Sequence, residues 1–520
     1  MEKKENSREI KQKLDWPLII LPLLVVTALS LVFLIQPERS TEVMVRIRMF
    51  IDSEFGWFYI LLGVSVFAIS IYIAFSRYGQ IRLGNLDKPQ YSSYKWGTMV
   101  FTSVMAADLI FFSFVEWAMY AEETRIQQLG ALQDWVPTYP LFHWGPIPWS
   151  FYVILAVAYG FMLHVRKSSK QKFSEACRPL FGKRIDGLPG KIIDFIAICA
   201  LLAGTATTFS IATPLVAAAF SSVTGLPLTA GLTVSLLVAI ALIYTITVLC
   251  GMKGIVFAAT VSFSLLGFLL AYFFFVGGES RYIIETGISS VGLLVQNFIG
   301  LATWMDPLRI SGYGGSGFVQ DWTIFFWAYW MAWCAATPFF LAMISAGRTL
   351  RNVIIGAYGY GLAGTFLSFI VFGNYGLSQQ LAGNVDIIGM VYTEPSLGII
   401  QIFETLPFSG FLLVILIVMM VLFYSTTFDS KTMVLAKYSY KDLQHGAETA
   451  RSLKLFWAGV FIIFPVGLIF AENAIDSLMS VAIIAAFPIG IIFILIIASF
   501  FKDARLYLAE TAASEKGKKE

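Results

Sequence analysis

Long apolar stretches alternate with short polar segments along almost the whole chain, and this pattern predicts helices that cross a membrane. A helical span needs about 20 mostly apolar residues, and about twelve stretches reach that length. They lie near residues 17–36, 56–76, 96–121, 141–165, 190–221, 229–250, 254–277, 321–346, 350–374, 407–436, 452–471 and 475–501. Ser280 to Gly300 has instead the pattern of an amphipathic helix at the membrane interface. We therefore predict an all-α polytopic membrane protein with about 12 transmembrane helices.

Lysine and arginine residues fall on one side of this predicted arrangement. They occur in the N-terminal tail, at 77–95, at 166–184, at Lys253, at 348–351 and in the loop 431–454. The stretches near 37–55, 122–140, 278–320 and 375–398 alternate with them, and the last has no lysine or arginine. Basic loops of membrane proteins stay in the cytoplasm. The pattern predicts a multi-pass protein of the plasma membrane with both termini cytoplasmic.

Composition agrees with a membrane protein. Of the 520 residues, 58% are hydrophobic and only 13% are charged, whereas soluble domains carry about 25% charged residues. The net charge of +3 is too small to indicate a nucleic-acid surface. The four cysteines fall in predicted spans or in a cytoplasmic loop. They therefore indicate no disulfide framework.

Aromatic residues are concentrated in the span near 321–346, which contains the sequence DWTIFFWAYWMAWCAATPFF. Its indoles and phenol belong to Trp322, Trp327, Tyr329, Trp330 and Trp333. Tryptophan and tyrosine usually collect at the membrane surface, so a run that extends toward the middle of the membrane needs another role. Indole faces attract quaternary ammonium groups, which cannot donate a hydrogen bond. The run predicts a cation cage, and lipid contact or helix packing is the alternative.

A second aromatic group opens the span near 141–165, in LFHWGPIPWSFY. Trp149 and Tyr152 are three residues apart and share a helix face. Trp144 reaches the same side because the prolines between them prevent a regular helical turn. In the later segment, a helical spacing predicts one inward stripe. That stripe consists of Phe326, Trp330, Trp333 and Thr337.

Two carboxylates lie inside the predicted span near 96–121, where a charge costs about 2.5–3.5 kcal/mol at the membrane centre. Asp108 is the deeper one, and it is interpreted as a counter-ion or proton site. The alternatives for Asp108 are a carboxylate bonded to neighbouring hydroxyls or one that is protonated in place. Glu116 lies nearer the outer end of the span, where capping or pairing is at least as consistent with its position.

A polar interruption, YSTTFDSKT, lies within the apolar stretch near 407–436. Thr426 and Thr427 there could bind sodium, since hard cations prefer oxygen ligands. Further ligands would come from Thr102 and Met105 if the facing helix is unwound between them. Hydroxyl groups also join helices to each other in membranes, which is the alternative interpretation.

Other classes of function find little support in the sequence. The three histidines, His143, His164 and His445, are scattered, so we expect no metal site. His143, at the entrance of its span, is expected to bond a backbone carbonyl. A membrane-embedded enzyme would show clustered His, Asp or Cys in the spans, and the sequence has no such cluster. A channel or a transport-like sensor is a remote alternative, and the short termini leave no room for a soluble output domain.

Taken together, these motifs resemble the betaine/carnitine/choline transporter family. The resemblance rests on DWTIFFWAYW followed by AMISAGRT, on FHWGPIPW, on the GMKGI turn at Gly251 and on TTFDS at Thr426. It implies a leucine-transporter-like fold with two inverted five-helix repeats, two extra N-terminal helices and alternating access. Trimers are common in the family, so a homotrimer is implied.

The resemblance divides the chain into six parts. These are a cytoplasmic tail at 1–16, two extra helices at 17–95, a first repeat at 96–277, an extracellular connector with an interfacial helix at 278–320, a second repeat at 321–501, and a cytoplasmic tail at 502–520. It places Trp144, Trp149, Tyr152, Trp330 and Trp333 at or beside the substrate cage, with Trp322 and Tyr329 further along the pathway. It places the sodium site at Thr102, Met105, Thr426 and Thr427.

The presence of an aspartate at position 108 helps to identify the substrate. In the family, choline-type members have an aspartate at this position, whereas betaine and carnitine members have a small uncharged residue. The charge argument agrees, because choline is a net cation while betaine and carnitine carry their own carboxylate. We therefore expect choline uptake through the aromatic cage with Asp108 as counter-charge. A sodium-coupled betaine or carnitine transporter is the alternative.

These residues do not determine whether transport is coupled to sodium, to protons or to the membrane potential alone. The threonine pair favours sodium, but Asp108 could carry a proton, or the membrane potential alone could draw in a cationic substrate. Sodium-independent exchangers of the family carry a methionine where this chain has Thr337 and an arginine where it has Ser262. We expect no cofactor apart from such a coupling ion. The short charged tail after Phe501 favours nutrient uptake over osmosensing.

Overall fold

The computed structural model describes residues 14–102, 105–168, 170–250, 252–309, 317–441, 449–469 and 474–516. Within these ranges the chain is helical, and the only extended pairing consists of two isolated bridges, Leu14 with Tyr440 and Arg82 with Thr349. The predicted all-α fold is therefore confirmed. Most of the predicted N-terminal tail, the end of the C-terminal tail, the turn at Gly251 and His445 lie outside the described residues.

Within the described ranges, fifteen main helices form the fold. They are α1 (Trp16–Ile35), α2 (Pro37–Phe75), α3 (Ser93–Thr102), α4 (Ala107–Met119), α5 (Pro146–Gly160), α6 (Leu188–Thr224), α7 (Ala230–Cys250), α8 (Met252–Val276), α9 (Ser280–Thr303), α10 (Ile324–Trp333), α11 (Thr337–Ile344), α12 (Leu350–Ser368), α13 (Ser409–Tyr438), α14 (Arg451–Ile469) and α15 (Ala474–Lys516).

Shorter helices connect or extend these elements. They are Arg77–Gln80, Thr124–Leu129, Leu132–Trp135, Thr138–His143, Phe161–Val165, Phe173–Ala176, Arg178–Phe181, Gly182–Asp186, Val319–Thr323, Phe369–Gly373, Asn374–Leu381, Ile387–Met390 and Pro395–Glu404. Three of them, Phe161–Val165, Val319–Thr323 and Phe369–Gly373, are single π-helical turns. Each π turn joins a longer helix without a break and so lengthens a span.

The number of helices able to span a membrane agrees with the prediction. Among the described residues, 11 helices are long and apolar enough, and the number rises to 13 when each of two bent helix pairs counts as one span. Helix α9 is among them, so a membrane-interface location for α9 would leave the predicted 12. The interfacial location of α9 stays a prediction. The protein is a multi-pass membrane protein.

One predicted loop is wrong. Residues 37–55 were expected to form an extracellular loop, but α2 begins at Pro37 and continues unbroken to Phe75. The charged residues of this stretch are accommodated by pairing. Arg48 lies 3.9 Å from the Asp52 carboxylate and 3.5 Å from that of Asp321, and Arg48 and Asp52 are both buried. Their charges lower the hydropathy of the stretch, although the backbone remains helical.

Two spans are broken, and they begin the two predicted repeats. Helices α3 and α4 meet at a bend of 67° between Thr102 and Ala107, where unwinding was anticipated. Helices α10 and α11 meet at 57°, although the sequence pattern predicted a continuous span there. Pro338 explains this second break, since a proline in the first turn of α11 has no amide to continue the preceding helix.

Discontinuous helices at matching positions of two repeats are typical of transporters with inverted repeats. The arrangement is thus consistent with the leucine-transporter-like fold. The exact division into repeats stays a prediction. What matters for the site is that α10 packs against α2, α5, α6 and α15 and is buried along its whole length. Side chains at its broken end therefore face other helices rather than lipid.

Candidate functional site

A small internal cavity lies where the two broken spans approach each other. It is lined by Ala106, Asp108, Trp144, Tyr152, Tyr329, Trp330, Trp333, Thr337, Thr427 and Lys431. These residues come from four regions far apart in sequence, namely the start of α4, the start of α5 with Trp144 just before it, the two sides of the break between α10 and α11, and the second half of α13. Six of the eight residues predicted for the substrate site, namely Asp108, Trp144, Tyr152, Tyr329, Trp330 and Trp333, thus line one cavity.

Trp330 is the centre of the aromatic cluster. Its ring centroid lies 4.8 Å from that of Tyr152 and 5.6 Å from those of Trp144 and Trp149. These spacings are those of aromatic rings in direct edge-to-face or tilted contact. The order of the helices explains the convergence, because Trp149 and Tyr152 occupy one face of α5 and Trp330 faces them from α10.

The rings are closed on each other. The cavity has a volume of about 30 Å³. Pockets for small organic ligands measure about 300–1,000 Å³. A trimethylammonium group therefore requires the rings around Trp330 to separate. The structure has the walls of a cage in a closed arrangement.

Asp108 lies in the first turn of α4 and is buried. Its Oδ2 accepts a hydrogen bond from the Tyr329 hydroxyl, which also bonds the hydroxyl of Thr208 on α6. Its Oδ1 has no hydrogen-bond partner among the described residues. The hydroxyl partner was one of the anticipated alternatives, yet half of the carboxylate stays unsatisfied beside the cavity. Tyr329 was expected further along the pathway, and it instead orients Asp108.

Lys431 is a residue of the cavity wall that was not predicted to belong to the site. It was counted in the cytoplasmic loop 431–454, but α13 continues to Tyr438 and Lys431 is buried in the cavity wall. Its Nζ lies 4.6 Å from the ring centroid of Trp333, a cation–π contact. The signal was present, since Lys431 also falls within the predicted span 407–436, and a lysine inside a span is as informative as an acid there.

The predicted sodium ligands are not gathered at the cavity. Of the four, Thr427 is the one that lines it, within the part of the chain that the structure describes. The Thr426 hydroxyl donates to the Phe423 carbonyl, and the Thr102 hydroxyl donates to carbonyls of its own helix. The Met105 methyl group packs where Gly364 lacks a side chain. The sodium site stays a prediction.

A buried polar network lies behind the aromatic wall. Glu116 accepts hydrogen bonds from the Tyr120 hydroxyl at 2.7 Å and from Trp144 Nε1 at 2.6 Å. Because the Tyr120 proton goes to Glu116, His143 Nδ1 donates to the Tyr120 oxygen at 2.8 Å and His143 Nε2 accepts from Thr323 at 2.9 Å. Glu116 therefore has the pairing role that its position suggested, and through it the Trp144 indole is fixed.

Two expectations, those for His143 and Phe326, differ in detail from the structure. His143 bonds two side chains rather than the expected backbone carbonyl. Trp322, which was expected further along the pathway, lies away from the cavity, where its Nε1 donates to Glu123 at 2.6 Å. Phe326 was expected in the inward stripe, but it stacks on His143 at 5.2 Å instead. Trp149 supports Trp330 without lining the cavity.

Within the described residues, no group of three His, Cys, Asp or Glu side chains is placed to hold a metal ion. The chemistry of the cavity is instead that of aromatic faces with one acidic and one basic side chain. Such a site can hold an ammonium group through the rings, and its charges can favour or oppose a ligand.

Comparison with known proteins gives a consistent result. A family model described as betaine/carnitine/choline family transporter matches residues 17–508. The chain is 26% identical to an osmo-independent choline transporter of Acinetobacter baylyi, over 90% of this chain and 89% of that protein. It is 27% identical to a glycine betaine transporter of Bacillus subtilis, over 93% of each. It is 30% identical to a probable glycine betaine transporter of Desulfitobacterium hafniense, over 92% of this chain and 96% of that protein.

Proposed function

Because the chain belongs to the betaine/carnitine/choline transporter family, we propose that it takes up choline by alternating access through the aromatic cavity, with Asp108 as counter-charge. The observation that supports this choice most directly is the buried Asp108 carboxylate, which lines the cavity and has one oxygen without a hydrogen-bond partner among the described residues. Choline brings a positive charge that this oxygen can neutralise, and its trimethylated head suits the indole faces.

The size of the electrostatic effect is sufficient to select between substrates. Two unit charges about 6 Å apart interact by about 2.8 kcal/mol at an effective dielectric constant of 20. The same carboxylate repels the carboxylate of betaine or carnitine. A difference of this size corresponds to about 100-fold in an equilibrium constant.

Glycine betaine is the second candidate, and Lys431 is the observation that favours it. The Lys431 ammonium lies in the same cavity wall as Asp108, so the pair gives the cavity no net charge when both side chains are ionised. A zwitterion would match such a pair if its carboxylate approached Lys431. Relatives named for choline and for glycine betaine are both found.

Several properties of the transport cycle belong to the same proposal. The two broken helices suit an alternating-access mechanism, in which half-helices open and close a site between the repeats. Sodium or protons would be the coupling ion, or the membrane potential would act alone on the charged substrate. A homotrimer in the plasma membrane with both termini cytoplasmic completes the proposal.

Uptake by purified protein in proteoliposomes tests the substrate. Labelled choline and labelled glycine betaine are compared for the wild type, Asp108→Asn and Asp108→Gly. We expect the wild type to prefer choline, and both substitutions to lower kcat/KM for choline by about 100-fold, the value of one charge pair. Asparagine keeps an oxygen that can accept from the Tyr329 hydroxyl. The change in kcat/KM caused by Asp108→Asn therefore measures the effect of losing the charge.

Glu123→Gln is the matched control, because it neutralises a buried acid that bonds Trp322 away from the cavity. It is expected to keep the choline preference. A wild type that prefers betaine, or a choline preference that survives both substitutions at Asp108, would contradict the proposal.

A further inference from the structure

Lys431 occupies the place where a cationic ligand would be expected. Its ammonium nitrogen lies 4.6 Å from the centroid of the Trp333 ring, within the distance at which an aromatic face binds a cation. Trp333, Lys431 and Asp108 all line the same cavity. The cavity thus already holds one positive group against an indole.

Among the described residues, the ammonium group of Lys431 has a contact with the Trp333 ring and no polar partner. The described side chains give it no ion pair and no hydrogen bond. Two other lysines of this protein have polar partners. Lys172 lies 3.9 Å from the Asp194 carboxylate, and Lys437 donates a hydrogen bond to Gln171 at 2.7 Å. Lysine has a flexible four-carbon stem that can carry its charge to a different position.

The Lys431 ammonium group occupies the face of Trp333 at which a substrate ammonium group would bind, so the two exclude each other at that ring. The cavity measures about 30 Å³ in the presence of the Lys431 side chain. Charge leads to the same conclusion. Asp108 balances one cation, and a second cation beside Lys431 would leave an uncompensated charge in a buried site, which is costly.

We infer that Lys431 is a resident cation of the cavity, which takes the place of the substrate ammonium group and has to leave before a quaternary amine binds. This inference rests on the proposed function, because it names a competitor at the same site. Lys431 is then a specificity-determining residue. It lowers the affinity of a ligand to the extent that the ligand's ammonium head needs the aromatic face that Lys431 occupies, so an amine whose head binds elsewhere is unaffected.

Binding to the purified full-length protein tests the inference. Titration calorimetry with choline, glycine betaine and tetramethylammonium is carried out on the wild type, Lys431→Gln, Lys431→Met and Lys431→Arg. We expect Lys431→Gln and Lys431→Met to bind choline and tetramethylammonium at least about tenfold more tightly, which corresponds to about 1.4 kcal/mol. Lys431→Arg keeps the charge and should stay close to the wild type.

The titrations with glycine betaine distinguish two roles of Lys431, namely competition with the ammonium head of the ligand and attraction of the betaine carboxylate. If Lys431 competes with the ammonium head, its removal leaves betaine binding unchanged or tighter. If Lys431 instead holds the betaine carboxylate, Lys431→Gln weakens betaine by tenfold or more, and the inference is overturned. Unchanged choline affinity in Lys431→Gln and Lys431→Met would also overturn it.

Lys437→Gln is the matched control, since Lys437 lies on the same helix and donates to Gln171 outside the cavity. It should leave all three affinities unchanged. A loss of every ligand in both neutral variants, with unaltered melting temperature, would overturn the inference too, because a residue required for binding is not its competitor. Failure of the wild type to bind any of the three amines would instead contradict the proposed function.

Discussion

Trp330 and Glu116 show how single residues prepare the site. Trp330 touches three aromatic side chains, so its ring cannot move without its neighbours. Glu116 holds Trp144 from behind through the indole nitrogen at 2.6 Å. Buried groups that lose a hydrogen-bond partner cost about 1–3 kcal/mol. The position of the Trp144 ring is therefore set by an acid that does not line the cavity.

Replacing Glu116 with glutamine tests this role at the residue scale. Glu116 accepts from both Tyr120 and Trp144, whereas glutamine has one oxygen and an NH₂ group that faces a donor. We expect Glu116→Gln to lower the free energy of unfolding by about 1–3 kcal/mol and to weaken choline binding, as measured by thermal unfolding and calorimetry in detergent.

Tyr120→Phe is the control for Glu116→Gln. It removes one donor to Glu116 but leaves the bond to Trp144 intact. It should lower stability while choline affinity stays within about twofold, since the indole keeps its partner. Equal losses of affinity in the two variants would show that Glu116 does not act through Trp144.

At the scale of elements, α12 and α5 approach closely at one glycine. A Cβ atom added at Gly361 would overlap the six-membered ring of Trp149, which in turn supports Trp330 at 5.6 Å. Protein interiors are packed densely, so an added methyl group has to displace its neighbour. The distance between α5 and α12 at Gly361 therefore determines where the Trp149 ring lies in the aromatic cluster.

Alanine substitutions on α12 test this coupling. Gly361→Ala is expected to lower stability by about 1–3 kcal/mol through overpacking and to weaken choline binding by tenfold or more as the Trp149 ring shifts. Gly359→Ala on the same helix meets no atom within 4 Å and should be neutral or slightly stabilising, because alanine favours a helix over glycine by about 1 kcal/mol. Equal behaviour of the two variants in thermal unfolding and binding would refute the coupling.

At the scale of the whole molecule, the charge of the substrate determines how the membrane field acts on transport. Moving one unit charge across the membrane is worth about 2.3 kcal/mol per 100 mV. A choline carrier without a compensating counter-ion should therefore respond to a potential of this size. A carrier of zwitterionic betaine without a coupled ion should not.

A potassium diffusion potential across proteoliposomes tests this expectation. With about 100 mV, inside negative, choline should accumulate up to about 50-fold, while vesicles without valinomycin should accumulate much less. Accumulation that is insensitive to the potential would contradict electrogenic uptake. Replacing sodium by a larger inert cation in the same assay determines the coupling ion, because unchanged rates exclude a sodium requirement.

Local sequence was sufficient for much of the fold. The length of an apolar stretch determines whether a helix can cross a membrane, so the helical class and nearly all spans were predictable. It failed for residues 37–55, where Arg48 and Asp52 suggested a loop although they pair within α2. It also missed the break after Trp333, where a single proline ends the helix.

By itself the sequence determined which side chains belong to buried spans, and so it singled out the indoles and Asp108, since a charge or a run of rings in an apolar stretch is visible locally. Only the tertiary structure decided which of them meet. It placed Lys431 against Trp333, gave Asp108 the Tyr329 hydroxyl, and turned the Thr426 and Thr102 hydroxyls to their own helices. The physical reason is that the rotation of each helix about its axis, and the point where it breaks, depend on packing against helices hundreds of residues away.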